Sequence, residues 1–251
     1  MISRLPPLDC HAHIAPDVTA DQLARLAPAI VFAVTRSPDE AKRVSRRTDQ
    51  RVVWGLGAHP SFVAKGGEID LELLRSLLPR FAMLGEIGLD RRSGHLDRQI
   101  AGLRRVLEAV RDQPVVLSVH SSGCVNELLG LLEESPHHGV ILHWFTGSTE
   151  ELDRAYRLGC YFSVNAAMDL EQISQIPGDR LLPETDYPAT RRRGGRLPGD
   201  TSALESLIAN ADGSTTEDVR RQLYRNLRTL LLASGAIDRV PTTVSDLLLL
   251  A

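Results

Sequence analysis

Six side chains with metal-binding atoms are spread along the chain, each near the end of an apolar run of strand length. Imidazoles and carboxylates are the usual protein ligands of divalent cations in hydrolytic sites. Three or four imidazoles with two carboxylates is what a two-metal hydrolytic centre requires. The six residues are His11 and His13 in LDCHAHI, Glu86 in MLGEIGLD, His120 in VVLSVHS, His143 in VILHWF and Asp186 in LLPETD.

His11 and His13 are separated by one residue, so on a β-strand both imidazoles point to the same face. Two imidazoles on one face can chelate a single cation. An HxH pair also arises by chance, as buried or solvated histidines. Its position near the end of the first strand, directly after Asp9, favours metal binding.

Glu86 lies within LGEIGLD, between apolar residues and glycines. A carboxylate buried in a strand is costly unless positive charge compensates it. A salt bridge to an arginine would compensate it, and so would two cations bridged by the carboxylate. We interpret Glu86 as the bridging ligand, and we expect Gly85 and Gly88 to leave room beside it for the metals and the substrate.

His120 and His143 each end an aliphatic run. One such histidine is more often a core residue than a ligand, but two at equivalent places on successive strands favour metal binding. His59, in GAHP at the end of the third strand, has no partner of this kind. We therefore predict that His59 contacts the substrate or orients a ligand.

Asp186 comes at the end of the eighth apolar run. A carboxylate there can bind one cation and also accept a proton from an attacking water. Glu184, two residues earlier, either orients a ligand histidine or is an interior polar residue. Asp186 and Glu86 are thus the predicted catalytic residues.

Strand-like runs alternate with amphipathic helical patterns along the chain, and two more helices follow the last strand. At 251 residues, this alternation favours a single-domain (β/α)8 TIM barrel with additional C-terminal helices. An open doubly wound sheet is the alternative, but GLGAHP lacks the third glycine of its dinucleotide-binding turn. In a barrel, the C-terminal strand ends meet at one pocket. The predicted strands are 8–14, 29–36, 51–58, 81–88, 115–120, 139–145, 160–166 and 180–186.

Composition narrows the class of protein further. A net charge of −3 argues against a general binder of polyanions. Three cysteines without a CxxC pair are typical of a reducing compartment. No segment has the length of a signal peptide's apolar core or of a membrane span. We therefore expect a cytoplasmic protein that does not associate with a membrane.

The motifs, in their order, resemble those of the TatD family of metal-dependent nucleases, which are amidohydrolase-like TIM barrels. They are CHAH, GAHP, GEIGLD, the His120 segment, HWFTG, ETDYP and YRNLRTLL with Asn226, and they cover nearly the whole chain, 1–251. The resemblance implies hydrolysis of phosphodiester bonds in DNA, commonly from a 3′ end, with two divalent ions (Mg²⁺, Mn²⁺ or Zn²⁺). It also implies the ligands: one cation would bind His11, His13, Glu86 and Asp186, and the other Glu86, His120 and His143.

Two positions depart from the family's pattern. Many relatives have a tyrosine directly after GEIGLD, where this chain has Arg91, and an arginine where it has Ser122. Arg91, Arg92 or the run 191–193 could supply positive charge instead, although each is also typical of a solvated surface cluster. The predicted contacts to the phosphate backbone of DNA, independent of its sequence, are His59, Arg91, Arg191 and Arg192.

The HWFTGS and LGCYFSV segments, with LPETDYP, look closest to the TatD-like member of a bacterial anti-phage cassette called Qat. That resemblance implies a role in defence, with other cassette proteins as partners. Two alternatives keep the same ligands. In one, the enzyme hydrolyses an ester, lactone, amide or aminoacyl bond, since activated water attacks carbonyl carbon as readily as phosphorus. In the other, an inactive barrel is a binding subunit of a defence complex.

Overall fold

The computed structural model describes residues 5–26, 28–190 and 195–251. Eight parallel strands form one sheet, and each strand pairs with the next in chain order. The strands are β1 (Leu8–His13), β2 (Ile30–Val34), β3 (Val52–Leu56), β4 (Met83–Asp90), β5 (Val116–Ser122), β6 (Val140–Leu142), β7 (Tyr161–Val164) and β8 (Leu181–Pro183).

Helices connect the strands and follow the last one. Most lie where the amphipathic patterns predict them, but α3 and α11 were not predicted. The helices are α1 (Ala20–Ala24), α2 (Pro38–Val44), α3 (Pro60–Ala64), α4 (Leu71–Leu77), α5 (Leu96–Val110), α6 (Val125–Glu134), α7 (Thr149–Arg157), α8 (Leu170–Gln175), α9 (Ser202–Asp212), α10 (Thr216–Ala233) and α11 (Thr242–Leu248).

Side-chain caps fix where several of these helices begin. The Ser37 hydroxyl accepts a hydrogen bond from the Glu40 amide at 3.3 Å, directly before Pro38. Ser148 accepts the Glu151 amide at 3.3 Å, while the Glu151 carboxylate accepts the Ser148 amide at 2.8 Å. These reciprocal bonds satisfy amides that have no partner within the helix.

Backbone hydrogen bonds between β1 and the segment after β8 bring the two ends of the sheet together. The Asp186 amide donates to the His11 carbonyl at 2.9 Å, and the His13 amide donates to the Tyr187 carbonyl at 2.9 Å. The eight strands therefore form a nearly closed barrel. This arrangement confirms the predicted single-domain TIM barrel and excludes the open sheet.

The buried carboxylate of Asp9 reinforces this closure. It accepts hydrogen bonds from the Thr185 amide at 2.9 Å, from the Thr185 hydroxyl at 2.6 Å and from the Gly199 amide at 2.7 Å. Burial raises the pKa of Asp9 to about 7, against the opposing effect of these bonds. Asp9 thus joins β1 both to the end of β8 and to the loop that follows it.

The core is aliphatic, as the low aromatic content of 4% requires. Leu8, Ile30, Leu84 and Leu117 are fully buried on β1, β2, β4 and β5, and buried leucines of α10 belong to the same core cluster. Among the described residues, no helix is both long enough and apolar enough to cross a membrane.

Asn226, on α10, joins this C-terminal helix to the start of β8. Its side-chain amide donates to the carbonyls of Gly178 at 2.7 Å and Leu181 at 2.8 Å. Since Asn226 is buried, its replacement would leave these carbonyls without their partner.

We expect Asn226→Leu to lower the free energy of unfolding by about 1–3 kcal/mol, because buried polar groups lose their hydrogen bonds. Chemical denaturation measures this change. The exposed Asn126→Leu is the matched control and should change stability by no more than about 0.5 kcal/mol. Equal losses in the two variants would contradict the structural role of Asn226.

Candidate metal centre

His11 and His13 reach the centre of the barrel mouth from an irregular strand. Asp9 pairs with Val31 and Ala12 with Ala33, so β1 has one more residue than β2 between these pairs. Such a bulge re-aims side chains near a strand end. Nε2 of His11 lies 3.8 Å and Nε2 of His13 lies 3.7 Å from Oδ1 of Asp186.

Glu86 lies at a second irregularity of the same kind. Leu84 pairs with Leu117 and Ile87 with Val119, so β4 also has one extra residue between its pairs with β5. The extra residue turns the Glu86 side chain inward, and the residue is only 1% exposed. Both bulges therefore lie at residues that the sequence predicts as metal ligands.

The prediction that Gly85 and Gly88 leave room for metals and substrate is wrong. A Cβ on Gly85 would lie 2.7 Å from Cβ of Ser118, and one on Gly88 would lie 2.7 Å from the backbone nitrogen of His120. Gly88 also has a φ of +134°, which L side chains rarely adopt. The two glycines allow β5 to approach β4 closely.

Five imidazoles surround the carboxylate of Glu86. Burial alone would raise the pKa of Glu86, but the nearby imidazoles of His120, His13 and His143 outweigh it and hold the pKa well below its usual value. Oε1 lies 2.8 Å from Nδ1 of His120 and 3.1 Å from Nε2 of His143, while Oε2 lies 3.3 Å, 3.5 Å and 3.9 Å from Nε2 of His13, His59 and His11.

A second buried carboxylate, that of Glu184, contacts the far side of the His143 ring. Its Oε2 lies 3.4 Å from Nδ1 of His143 and accepts a hydrogen bond from the Ser163 hydroxyl at 2.5 Å. Its Oε1 accepts one from the Asn165 side-chain amide at 3.0 Å. Burial would lower the pKa of His143, but Glu184 and Glu86 outweigh it and raise the pKa well above its usual value. This contact favours the interpretation that Glu184 orients a ligand histidine.

His11 has one ring nitrogen engaged and the other directed into the site. Nδ1 lies 2.8 Å from the Ser118 hydroxyl, whereas the buried Nε2 has no hydrogen-bond partner among the described residues. Burial lowers the pKa of His11 well below its usual value, and His143 adds to that effect. The ring is therefore neutral, the form that binds a metal.

The ligand atoms and their lack of partners fit divalent cations. The buried Oε2 of Glu86, like Nε2 of His11, has no hydrogen-bond partner among the described residues. Nitrogen and carboxylate donors converging on one point suit a cation such as Zn²⁺ or Mn²⁺. Three sets of ligand atoms each lie within 4.8 Å of one another: His11–Glu86–His143, His11–His13–Asp186 and His59–Glu86–His120.

His59 differs from the other histidines in how its ring is held. Its Nδ1 accepts the Ser61 amide hydrogen at 3.0 Å and lies 2.7 Å from the Ser61 hydroxyl. With Nδ1 as an acceptor, the proton of the neutral ring lies on Nε2, which faces Glu86 at 3.5 Å. Burial lowers the pKa of His59, which favours this neutral form. His59 therefore presents a hydrogen-bond donor to the site.

Asp186 lies beyond β8, in a loop. Its φ of +41° is in the left-handed region, and the residue is 7% exposed. Burial raises the pKa of Asp186 to about 8, against the opposing effect of His143. A cation beside it would favour the ionised form.

A cavity of about 350 Å³ opens above the ligands. The predicted substrate contact Arg91 is not among the residues that line it: the Arg91 guanidinium donates to the Gly123 carbonyl at 2.8 Å and pairs with Glu127. Arg191 and Arg192 lie outside the described residues. The lining residues are Arg92, His120, Ser121, Ser122, His143, Trp144, Thr146 and Asp186.

Trp144 and Thr146 were missed by the sequence analysis. They follow His143 in HWFTG, and an aromatic residue directly after a predicted ligand was the available signal. Arg92 was considered only as one of several arginines. Periodicity does not show which arginine of a neighbouring pair faces a cavity.

A barrel with imidazoles and carboxylates at its strand ends defines a metal-dependent hydrolase. Residues 8–232 match the family model described as TatD related DNase, and the chain belongs to this family. The predicted class of enzyme, a metal-dependent hydrolase of the deoxyribonuclease type, is thereby confirmed.

Three relatives cover most of the chain. Deoxyribonuclease TATDN3 of Homo sapiens is 26% identical over 89% of this chain and 96% of its own length. The 3′-5′ ssDNA/RNA exonuclease TatD of Klebsiella pneumoniae is 27% identical over 85% of this chain and 90% of its own. The structure of the TatD homologue YjjV of Escherichia coli superposes with a TM-score of 0.75 at 21% identity, covering 92% of this chain and 98% of that one.

We expect divalent cations to stabilise the protein. A ligand at about 100 times its dissociation constant stabilises the folded state by about 2.7 kcal/mol, which is roughly 5–10 °C in Tm for a chain of this size. Thermal unfolding of chelator-treated protein with and without Mn²⁺ measures the shift. Glu86→Gln should lose most of it, while the exposed Asp153→Asn retains it. A full shift in Glu86→Gln would contradict metal binding at this carboxylate.

Proposed function

We propose that the protein is a two-metal phosphodiesterase that hydrolyses DNA, releasing nucleotides from a 3′ end. The observation that carries the proposal is the buried carboxylate of Glu86, which lies within 4 Å of five imidazoles. Two of these imidazoles, those of His11 and His13, also lie within 4 Å of the Asp186 carboxylate. A cluster of this composition is what a pair of divalent cations requires. We also propose that residues 1–251 form one hydrolase domain.

The proposed ligands divide into two sets that share Glu86. One cation would bind His11, His13 and Asp186 with Glu86, and the other His120 and His143 with Glu86. Bound Mg²⁺, Mn²⁺ or Zn²⁺ supplies Lewis acidity that lowers the pKa of water and neutralises charge on phosphate oxygens.

The chain's own residues supply the proton transfer and the orientation. Asp186 is the only carboxylate among the described residues that line the cavity, so it accepts the proton of the attacking water. The Nε2–H of His59 is fixed by the Ser61 contacts and donates to a phosphate oxygen. Glu184 holds the His143 ring in place.

Arg92 is the residue that we propose for electrostatic contact with the DNA backbone. It lines the same cavity as Ser122, while its neighbour Arg91 is paired with Glu127. The arginine that many relatives have at position 122 is absent here, so Arg92 supplies positive charge from the adjacent loop. Contacts to phosphates carry no sequence information, which suits a nuclease that is independent of sequence.

Relatives support the choice of DNA over other substrates of metal-dependent hydrolases. Among the named relatives, one is a deoxyribonuclease and another a 3′-5′ ssDNA/RNA exonuclease. Hydrolysis of an ester, lactone or amide bond uses the same ligands, so substrate panels should include carboxyl esters.

The Qat resemblance supports the further proposal of a defence role with cassette proteins as partners. A phage plaque assay with and without this chain tests that proposal.

The three cysteines, Cys10, Cys124 and Cys160, are free and buried. Free thiols support the proposal that the protein works in the cytoplasm.

We expect Asp186→Asn and Glu86→Gln to lower kcat for DNA hydrolysis at least about 100-fold, a loss of roughly 2.7 kcal/mol of transition-state stabilisation. Release of nucleotides from a labelled oligonucleotide with Mg²⁺ or Mn²⁺ measures it. Asp153→Asn, an exposed carboxylate on α7, is the matched control. The proposed roles fail if both site variants retain activity within about threefold of the unmodified protein.

Arg92→Ala should raise KM for DNA about tenfold with little change in kcat, because a phosphate contact that persists through the reaction contributes to binding. It should also lower the slope of the logarithm of the binding constant against the logarithm of the salt concentration by about 1, the value for one phosphate contact. Arg91→Ala is the matched control, since it removes the same charge from the neighbouring position. Equal effects on KM from the two variants would show that Arg92 has no special contact with the backbone.

A further inference from the structure

We infer that Trp144 is a stacking platform for one unpaired nucleobase, so that the cavity above the metal centre takes the last nucleotide of a single strand. This inference rests on the proposed nuclease function and names its substrate more narrowly. The carrying observation is the position of the indole on the wall of the cavity that Asp186 and His143 also line.

Trp144 contacts both the hydrophobic core and the cavity. It is partly buried and packs on the hydrophobic core, and it also lines the cavity of about 350 Å³. A large aromatic face beside polar ligands suits a flat apolar partner.

The backbone holds Trp144 in a conformation that a bulky residue rarely adopts. Its φ is +44°, in the left-handed region, where a tryptophan is strained. Strain of this kind persists when neighbouring contacts fix the chain, and it clusters at functional sites. His143, just before it, contacts Glu86, and Phe145, just after it, packs on Phe162 with ring centroids 5.1 Å apart. The backbone at Trp144 is therefore held on both sides by the contacts of its neighbours.

The other lining groups fit the sugar and phosphate of the same nucleotide. Arg92 supplies a positive charge, and the hydroxyls of Ser121, Ser122 and Thr146 supply hydrogen-bonding groups. The volume is near the lower end of small-ligand pockets, which suits one nucleotide rather than a base pair. Stacking accepts every base, because each base has a π-face.

A cavity of about 350 Å³ takes one nucleotide and has no room for the partner of a paired terminal base. A terminal base must leave its partner before it can stack on Trp144, so single-stranded ends are the preferred substrate. Preference for single strands therefore depends on the tryptophan, whereas bond cleavage depends on the ligand cluster.

An abasic terminal nucleotide tests the stacking directly. We compare kcat/KM for release of a normal 3′-terminal nucleotide with that for a stable abasic analogue at the same position. The unmodified enzyme should favour the normal end by roughly 5- to 150-fold, the usual effect of base–aromatic stacking. Trp144→Ala should bring this ratio close to one, and Trp144→Phe should retain much of it. Trp54→Phe, buried on β3, is the matched control and should leave the ratio unchanged.

Intrinsic fluorescence tests the same contact without catalysis. The chain has two tryptophans, so in Trp54→Phe the emission comes from Trp144 alone. Titration with dAMP should quench that emission to a plateau, whereas deoxyribose 5-phosphate should not. This measurement holds even if Trp144→Ala does not fold.

The outcomes separate the two proposals. A protein that cleaves DNA through Glu86 and Asp186, but shows no preference for the normal end and no dAMP-specific quenching, overturns the role of Trp144 alone. Absence of DNA cleavage by the unmodified protein, together with cleavage of carboxyl esters, overturns the proposed nuclease function. An unchanged ratio in a folded Trp144→Ala variant also overturns the stacking platform.

Discussion

One buried carboxylate places the strongest physical demand on this structure. Glu86 is almost wholly removed from water, and its low pKa keeps it ionised. An ionised carboxylate in the interior is stable only where positive charge is close. The surrounding imidazoles satisfy part of this demand, yet Oε2 and the facing Nε2 of His11 keep no hydrogen-bond partner among the described residues. Divalent cations would provide partners for these atoms. The ligand cluster would therefore contribute both to the stability of the protein and to its chemistry.

The contacts that close the barrel also bring together the side chains around Glu86. Asp9 and Thr185 are 176 residues apart, and their hydrogen bonds join the first strand to the segment directly after the last strand. The same junction brings the backbone of Asp186 against His11. Closure and assembly of the ligand cluster therefore depend on the same contacts. The two bulges, in β1 and β4, lie directly at His11 and Glu86 and turn regular strands into carriers of inward-facing ligands.

Sequence patterns predicted the architecture because strand and helix periods differ and because parallel strand ends meet at one edge of a barrel. They also identified the residues that the structure brings together, although their roles as ligands stay a prediction. The patterns could not show features that depend on the register of strand pairing or on the conformation of loops. Gly85 and Gly88 allow β5 to lie close to β4. This role depends on how the two strands pair, which the periodicity of the sequence does not show. Arg91 and Arg92 are equivalent in sequence, and only the fold of the loop separates the paired arginine from the one at the cavity.

The most direct measurement of the central claim is anomalous diffraction from crystals grown with Mn²⁺. The account predicts two anomalous peaks at the barrel mouth, with the Glu86 carboxylate between them and the imidazoles of His11, His13, His120 and His143 around them. Peaks elsewhere on the protein, with none beside Glu86, would contradict it.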